Sequence, residues 1–413
     1  MLRREILTNT ISYYNIDKKI IFVNSNNSKW FVINEIEFKT YSNVIRNKSE
    51  NTEEYSKLLK KKFFESVPRY SNKMLQFYVT NMCNLKCPHC YMRCQKEIEL
   101  ELSFDEKKKV LKDFYENGGR KILFTGGEVM MSPDFLDLLE YTKRFFDTYI
   151  IVLTNGTLWD EEKIEICSKY IDEVQISIDG YSEATNSKIR GKGAFDKSLK
   201  CVDSFLSRDI TVTLAMTPLH GFENELEKYS TFGKELVDKY KDKSFYLVFA
   251  DGLLQGRSVD WIFEKNLIYA QNSEKILNDI YPDYIIGSFA EIHSQPLQNC
   301  GYGKIVLDSN GDFTFCTCIK DIPKLGNIRN TSMKKIFEMS DKISQKTCID
   351  NLEPCKNCDF KYICGDKCRM EYFRGSNNIC NVDMIPRLTL RCECTEAYKR
   401  KILEKMLESF ERL

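Results

Sequence analysis

The chain has 413 residues, and its 61 lysines and arginines nearly balance 60 aspartates and glutamates, which leaves a net charge of +1. A chain of this length accommodates two or three domains, and its balanced charge provides no long-range field that would recruit nucleic acid or an anionic membrane surface. The 17 cysteines do not indicate a secreted disulfide scaffold, because such scaffolds are short, so we expect reduced thiols that are committed in part to metal.

The first ten residues are largely polar or charged and lack the apolar core of a signal peptide. No run in the sequence approaches the roughly 18 apolar residues of a membrane span. We therefore expect a cytoplasmic protein with neither a membrane nor a nucleic acid as its partner.

Residues 1–70 are predicted to form a small domain of two strands followed by helices. Lys18–Val23 and Lys29–Ile33 are short apolar runs separated by polar turn residues, which predicts a hairpin. Helical patterns follow at Glu35–Arg46 and Thr52–Phe64.

Residues 74–250 alternate strand-like and helix-like segments, which predicts an α/β domain with a parallel sheet covered by helices. The strand-like runs are Met74–Thr80, Lys121–Thr125, Tyr149–Thr154, Glu173–Ile178, Ile210–Met216 and Ser244–Ala250. The helical stretches lie near Phe104–Glu116, Asp134–Phe146, Glu161–Tyr170, Ala194–Ser207 and Glu223–Tyr240. Six strands suit a partial (β/α)6 TIM-like barrel, whose chemistry would collect at the carboxyl ends of the strands.

The first of these strands is followed by three closely spaced cysteines, Cys83, Cys87 and Cys90, in a C-x3-C-x2-C arrangement. Three thiolates can hold three irons of a 4Fe–4S cube and leave the fourth iron open to another ligand. Zinc is the alternative, but zinc sites pair C-x2-C units or add histidine, and His89 is poorly placed behind Pro88.

Later strand ends also carry polar residues or glycines. The sequence Gly126-Gly127-Glu128 follows the second strand, and paired glycines let a backbone approach a ligand without a Cβ collision. Further candidates at or beyond strand ends are Asn155, Ser177 and Arg190. Taken singly, these residues could equally be turn residues, a strand-end serine and a solvated arginine.

A second group of cysteines lies in the last third of the chain. Its members are Cys300, Cys316, Cys318, Cys348, Cys355, Cys358, Cys364, Cys368, Cys380, Cys392 and Cys394. The turn sequence Asp308–Asp312 predicts a hairpin that returns Cys316 towards Cys300. Structural zinc sites are an alternative, since C-x2-C is also a zinc pattern.

The cysteine loop, with Tyr91 directly after its third cysteine, resembles that of the radical S-adenosylmethionine (SAM) superfamily. The resemblance implies a partial barrel, and an open iron that binds the amino and carboxylate groups of SAM, whose reductive cleavage yields a hydrogen-abstracting 5′-deoxyadenosyl radical. It also implies a SAM site built from residues that match the superfamily's motifs, namely Tyr91, Gly126, Gly127, Glu128, Asn155, Ser177 and Arg190. Among these, Glu128 belongs to the GGE motif, Asn155 and Ser177 would meet the ribose, and Arg190 would meet the SAM carboxylate.

The late cysteines resemble the SPASM extension of that superfamily, which houses two auxiliary 4Fe–4S clusters, and Gly256-Arg257 resembles the element that follows the sixth strand in SPASM-containing relatives. The extension's interleaved ligation implies that the first auxiliary cluster is held by Cys300, Cys316 and Cys368. Its fourth ligand would be Cys318 or His293, or the iron would be open. The second would be held by Cys355, Cys358, Cys364 and one late cysteine, for which we favour Cys392 over Cys380 and Cys394.

In front of such a barrel, two strands followed by helices look like the winged-helix recognition element of ribosomal-peptide maturases, although a purely structural cap remains an alternative. The domains expected are 1–70 for recognition of a leader peptide, 71–257 for the barrel, 258–299 as a bridging region and 300–413 for the auxiliary clusters.

These resemblances imply a radical SAM oxidoreductase that modifies a precursor peptide, for which we favour a cysteine thioether as the product. Its partners would be the precursor with its leader and a reductant such as flavodoxin or ferredoxin. The alternatives are formylglycine formation, as in sulfatase maturation, a carbon–carbon cross-link, or a non-catalytic metal-cluster binding module.

Overall fold

The protein is described here from a computed structural model in which the chain forms two compact units. One unit comprises 1–71, 282–302 and 342–413, and the other 72–281 and 303–341. The residues that the structure describes are 4–16, 18–27, 29–47, 52–61, 63–64, 74–94, 100–219, 222–250, 252–253, 256–259, 263–281, 303–316, 324–346, 349–351, 355–361 and 396–411.

The strands are β1 Arg4–Ile6, β2 Ile11–Ile16, β3 Lys19–Asn24, β4 Trp30–Asn34, β5 Met74–Tyr78, β6 Lys121–Thr125, β7 Tyr149–Thr154, β8 Glu173–Ile178, β9 Thr211–Met216, β10 Phe245–Phe249, β11 Ile305–Leu307, β12 Asp312–Thr314 and β13 Gly326–Asn327. The α-helices are α1 Phe38–Asn47, α2 Glu53–Lys60, α3 Phe104–Glu116, α4 Phe135–Phe145, α5 Glu161–Cys167, α6 Glu183–Arg190, α7 Ala194–Leu206, α8 Leu226–Lys239, α9 Phe263–Ile280, α10 Met333–Lys346 and α11 Glu396–Glu411. None of the described helices is long and apolar enough to cross a membrane.

The larger unit contains the parallel sheet that the sequence predicts. Strands β5 to β10 pair in sequential order and all in parallel. Their apolar side chains form the core, with Ile150, Val152 and Val174 fully buried. Because the strands run in the same direction, their carboxyl ends and the loops that follow them meet at one edge.

The same sheet extends beyond the six predicted strands. β11 pairs in parallel with β5, and β12 and β13 add antiparallel strands at that side. The turn between β11 and β12 confirms the predicted hairpin, and Gly311 adopts φ +88°, which favours glycine. Cys300, towards which this hairpin was expected to return Cys316, lies outside the described residues.

Helix α6 was not predicted from the sequence. Asn186 is its one buried residue, so the segment has no apolar period to detect. Its start is nevertheless encoded, since the Ser182 hydroxyl accepts a hydrogen bond from the Thr185 backbone and the Thr185 hydroxyl caps the Ser182 N–H.

In the smaller unit the expected hairpin of residues 1–70 is present as β3 and β4, but the prediction of only two strands was wrong. β1 and β2 precede them, and the four strands form an antiparallel meander. β1 has three residues, two of them charged, and Ser12 and Asn15 interrupt the apolar run of β2, so neither has a clear strand pattern.

Both faces of this four-stranded sheet are covered. Ile20, Phe22 and Phe31 pack with residues of α1 and α2. Ile21, Val23 and Val32 face the other way and pack with Phe360 and with residues of α11, which are Ile402, Leu403 and Met406. Successive side chains of β3 and β4 point to opposite faces of the sheet, so these strands contribute to two separate apolar clusters.

Candidate cofactor site at the carboxyl ends of the strands

The cysteine loop begins where β5 ends and is fastened to the end of β6. The Gly127 N–H donates to the Thr80 carbonyl at 2.9 Å, and the Glu128 N–H donates to the Met82 carbonyl at 2.8 Å. A Cβ on Gly126 would lie 2.5 Å from the Thr80 oxygen, and one on Gly127 would lie 2.2 Å from the Met82 oxygen. The two glycines are therefore required for packing against the cysteine loop, a role that the sequence did not reveal.

The loop presents the free thiols of Cys83, Cys87 and Cys90, and Cys87 is the most buried. Burial raises the pKa of Cys83 to about 11 and raises the pKa of Cys87. A hydrogen bond from the neighbouring Cys94 thiol lowers the pKa of Cys90. In the described part of the chain, no three His, Cys, Asp or Glu side chains are gathered as they would be around a single metal ion.

Arg190, at the end of α6, donates its Nε to Oδ2 of Asp179 at 2.5 Å. Asp179 is fully buried just after β8, and its Oδ1 accepts the Thr217 N–H at 2.8 Å. His89 Nε2 lies 3.4 Å from the same Oδ2, so the histidine in the cysteine loop faces a carboxylate. Asp179 is a buried acid that joins these elements, and the sequence did not single it out.

The charges around Asp179 set the protonation of its neighbours. Burial acts to lower the pKa of Arg190, but Asp179 and the cysteine loop outweigh it, so the pKa is raised and the guanidinium stays charged. Burial lowers the pKa of His89 despite the nearby carboxylate, and its Nδ1 is a buried atom without a partner among the described residues. The site thus holds a fixed cation beside the cysteine loop.

Glu128 is only 1% exposed and joins the ends of β6 and β7. Its Oε1 accepts from the Thr154 hydroxyl at 2.5 Å, and its Oε2 accepts from the Asn155 N–H at 2.7 Å. Burial raises the pKa of this carboxyl, while the two donors oppose that rise. Both carboxylate oxygens therefore bind residues at the end of β7. We assign Glu128 a role in positioning that strand end, in addition to the cofactor-binding role expected from the sequence.

The other expected cofactor residues are placed as follows. Asn155 donates from Nδ2 to Oδ1 of Asn84 in the cysteine loop at 2.9 Å. The Tyr91 hydroxyl is hydrogen-bonded to that of Tyr78 on β5 at 2.8 Å. Ser177 lies near the end of β8 on its half-buried face. The structure brings Asn155, Tyr91 and Arg190 to the cysteine loop, and places Ser177 at the neighbouring strand end.

The cysteine loop is also contacted by the short segment of residues 256–258. A Cβ on Gly256 would lie 2.6 Å from the carbonyl carbon of His89. The Ser258 N–H donates to the Pro88 carbonyl at 2.8 Å, and Arg257 Nη2 donates to the Cys94 carbonyl at 2.8 Å. Arg257, which the sequence marked only by its resemblance to an element of SPASM-containing relatives, thus binds the backbone just beyond the third cysteine of the loop.

Of the later cysteines, the structure describes Cys316, Cys355 and Cys358. Cys316 is buried just beyond β12. Cys355 opens a single 3-10 turn, and the Cys358 N–H donates to the Cys355 carbonyl at 2.8 Å. The remaining expected ligands lie outside the described residues: Cys300, Cys364, Cys368 and Cys392, together with Cys318, Cys380, Cys394 and His293.

Two known protein-family profiles match the sequence of this chain. The radical SAM superfamily profile matches residues 77–230, which include the cysteine loop and the strand ends around it. The profile of SPASM, an iron-sulfur cluster-binding domain, matches residues 299–359. Residues 77–230 therefore carry a radical SAM domain, and residues 299–359 carry a SPASM domain.

Individual relatives agree with the family assignment. The chain is 28% identical over 317 residues to the antilisterial bacteriocin subtilosin biosynthesis protein AlbA of Bacillus subtilis (strain 168), covering 73% of this chain and 67% of AlbA. Native anSMEcpe with bound AdoMet and Cp18Cys peptide has a TM-score of 0.57 at 20% identity, covering 82% of this chain and 97% of that one. Streptococcus suis SuiB bound to precursor peptide SuiA has a TM-score of 0.52 at 16% identity, covering 93% and 100%. At these identities the solved structures show a shared fold.

The cofactors of this radical SAM enzyme are a 4Fe–4S cluster and SAM, with auxiliary iron–sulfur clusters in its SPASM domain. The donor set of the cysteine loop fits the first cluster, because three soft thiolates on one loop can ligate three irons and leave the fourth available. The charged Arg190 beside the loop suits the carboxylate of SAM, since two Nη groups remain beyond the Nε that Asp179 engages.

Proposed function

We propose that this radical SAM enzyme modifies a ribosomally made precursor peptide by forming a cross-link, for which we favour a thioether from a cysteine to a carbon of another residue. The observation that carries the proposal is the similarity to AlbA, a bacteriocin biosynthesis protein, across 73% of this chain. Two neighbours in fold hold a peptide, Cp18Cys in one case and the precursor SuiA in the other, which supports a peptide substrate.

When bound, the cluster and SAM supply a 5′-deoxyadenosyl radical that takes a hydrogen atom from the substrate. In our proposal Cys83, Cys87 and Cys90 hold that cluster in a partial barrel at residues 71–257. Arg190, held by Asp179, meets the SAM carboxylate. Gly126, Gly127 and Glu128 fix the loop against β6, while Tyr91, Asn155 and Ser177 complete the SAM site.

We propose that the cysteines of the SPASM region would hold two auxiliary clusters, which would supply a one-electron acceptor for the cross-linking reaction. Cys300, Cys316 and Cys368 would hold the first cluster. Cys355, Cys358 and Cys364, with Cys392 as the late ligand, would hold the second. If the first cluster has an open iron, that iron would supply a binding position for the thiolate of a peptide cysteine, which is the nucleophilic and metal-binding form of the thiol.

For residues 1–70 we propose a leader-peptide recognition domain of winged-helix type. Support comes from a small sheet whose outer strands, β1 and β4, each leave a pairing edge within that sheet. A peptide can add to such an edge, where main-chain bonds give affinity and alternate side chains give specificity. We further propose a cytoplasmic location, with flavodoxin or ferredoxin as the reductant.

The test is anaerobic reconstitution with iron, sulfide, SAM and dithionite, together with short cysteine-containing peptides encoded next to the gene. We expect 5′-deoxyadenosine and a peptide that loses two hydrogens and one alkylatable thiol. A carbon–carbon cross-link would keep the thiol, whereas formylglycine formation from cysteine would remove sulfur. A triple variant, Cys83→Ala/Cys87→Ala/Cys90→Ala, is the control, and a wild type that yields no 5′-deoxyadenosine would refute the proposed activity.

A further inference from the structure

Two segments distant in sequence meet at Asp359 within the smaller compact unit. Asp359 directly follows Cys358, and its side chain is 3% exposed. Arg4 of β1 binds it with two hydrogen bonds, from Nε to Oδ2 at 2.6 Å and from Nη2 to Oδ1 at 2.7 Å. The Tyr14 hydroxyl of β2 donates to Oδ2 at 2.6 Å. Two strands of the N-terminal sheet therefore hold one carboxylate at the end of the Cys355–Cys358 turn.

Apolar packing continues this contact on the residue that follows. Phe360 is 1% exposed, and its ring centroid lies 5.1 Å from that of Tyr14. Cys358 itself packs against the same apolar cluster, to which α11 contributes Leu403 and Met406. The end of the turn thus packs between the sheet and α11, while Lys356 and Asn357 are exposed.

The geometry restricts where the turn can lie. A buried carboxylate without partners is strongly unfavourable, so Asp359 must meet its donors when the unit folds. The planar fork of Arg4 matches a carboxylate in one orientation, which sets direction as well as distance. Because Asp359 and Cys358 are adjacent in the chain, fixing the first leaves the second little freedom.

We infer that Asp359 is a positioning residue that fastens the Cys355–Cys358 turn to the N-terminal sheet, so that a cluster bound at the turn and the order of the sheet stabilise each other. The inference rests on the proposal that both cysteines are cluster ligands. If loading the cluster favours one arrangement of the turn, the same arrangement favours the Arg4 and Tyr14 contacts, and the coupling is reciprocal.

The first test measures iron in reconstituted variants. Wild type should bind about 12 irons per chain and Asp359→Asn about 8, since each cube holds four. The matched control is Arg329→Met, which removes a bidentate ion pair with Glu106 in the other compact unit and should keep wild-type iron. Wild-type iron in Asp359→Asn would overturn the inference. Cys355→Ala and Cys358→Ala distinguish a failure of this inference from a failure of the proposed ligand assignment. Wild-type iron in those two variants would refute the ligand assignment itself.

A second measurement needs no substitution and reads the sheet directly. Amide hydrogen exchange of β1 and β2 is compared between the apo-protein and the reconstituted protein, with β7 of the parallel sheet as internal reference. We expect exchange in β1 and β2 to slow by at least about tenfold when the clusters are bound. Local opening of these strands must then also break their contacts with a turn that the cluster holds in place, so opening costs more free energy. Tyr14→Phe, which removes one donor and keeps the ring, should reduce that slowing. Identical exchange in β1 and β2 with and without clusters would refute the coupling, even if Asp359→Asn does not fold.

Discussion

Arg190 and Asp179 form a buried ion pair at 2.5 Å beside the cysteine loop, with His89 3.4 Å from the same carboxylate oxygen. The Arg190 side chain is 9% exposed and that of Asp179 is 0% exposed. A buried pair of this kind holds the guanidinium in one place, which lets a short polar helix such as α6 present a cation to a ligand. The pair is therefore the natural first target for mutation.

We expect Asp179→Asn to destabilise the apo-protein by about 3–5 kcal/mol, because it leaves the buried Arg190 cation without its partner. SAM cleavage by the reconstituted variant should fall at least about tenfold, the equivalent of 1.4 kcal/mol in the barrier. Urea unfolding and 5′-deoxyadenosine release measure the two effects. Glu165→Gln, which breaks an exposed pair with Arg208, should stay within about 1 kcal/mol. An Asp179→Asn variant as stable and active as wild type would show that the pair has no positioning role.

The second prediction concerns Glu128, whose two oxygens accept from Thr154 and Asn155. In Glu128→Gln an amide NH2 replaces one acceptor, and it faces either the Thr154 hydroxyl or the Asn155 N–H. We expect the apo-protein to lose about 1–3 kcal/mol, the cost of leaving a buried donor unpaired. Urea unfolding measures this loss without any cofactor present. If stability is unchanged while SAM binding is lost, Glu128 contacts the cofactor and does not position β7.

A third prediction follows from the pKa of Glu106, which its hydrogen bonds with Arg329 and with the Ser103 N–H lower from 4.5 to about 2. A carboxyl whose pKa is depressed by folding stabilises the protein above its unfolded pKa and loses that effect as the pH falls through the folded value. The difference in stability between wild type and Glu106→Gln should therefore be constant above about pH 5 and shrink progressively towards pH 2. Because the pair is partly exposed, the full difference should be below about 1 kcal/mol. Urea midpoints at several pH values measure it, and a difference that does not change with pH would contradict the assignment.

Much of the larger unit could be predicted from the sequence. Strands such as β7 are nearly continuous runs of Ile, Val and Leu, which parallel strands buried on both faces require. The cysteine spacing and the glycine pair are local patterns, and both lie at the strand ends where they were expected. Local patterns of this kind remain visible because a few neighbouring residues encode them.

What the sequence did not show depends on contacts between distant segments. Asp179 looks like an ordinary turn residue until Arg190, His89 and the Thr217 N–H surround its carboxylate. The need for glycine at Gly127 arises from the Met82 carbonyl 45 positions earlier in the chain. Asp359 acquires its partners from β1 and β2, at the other end of the sequence. Single-sequence patterns carry no information about such pairings.

The last prediction concerns Gly256, where a methyl group would lie 2.6 Å from the carbonyl carbon of His89. That neighbour is backbone, so it cannot rotate away, and Gly256→Ala must displace either the cysteine loop or its own turn. A displaced loop no longer holds its thiols ready for the cluster, so iron bound by the reconstituted variant should fall by about four, the content of one cube. In the apo-protein the thiols of Cys83 and Cys87 should react faster with iodoacetamide, because the loop that buries them is loosened.

Ser258→Ala is the matched control for Gly256→Ala. It lies in the same turn and keeps the backbone N–H that binds the Pro88 carbonyl at 2.8 Å. We expect it to retain wild-type iron and wild-type thiol reactivity. If Gly256→Ala behaves like this control in both measurements, the turn at 256–258 does not hold the cysteine loop. If only the thiol reactivity changes, the turn protects the empty loop, and the cluster, once bound, is strong enough to restore the loop's position.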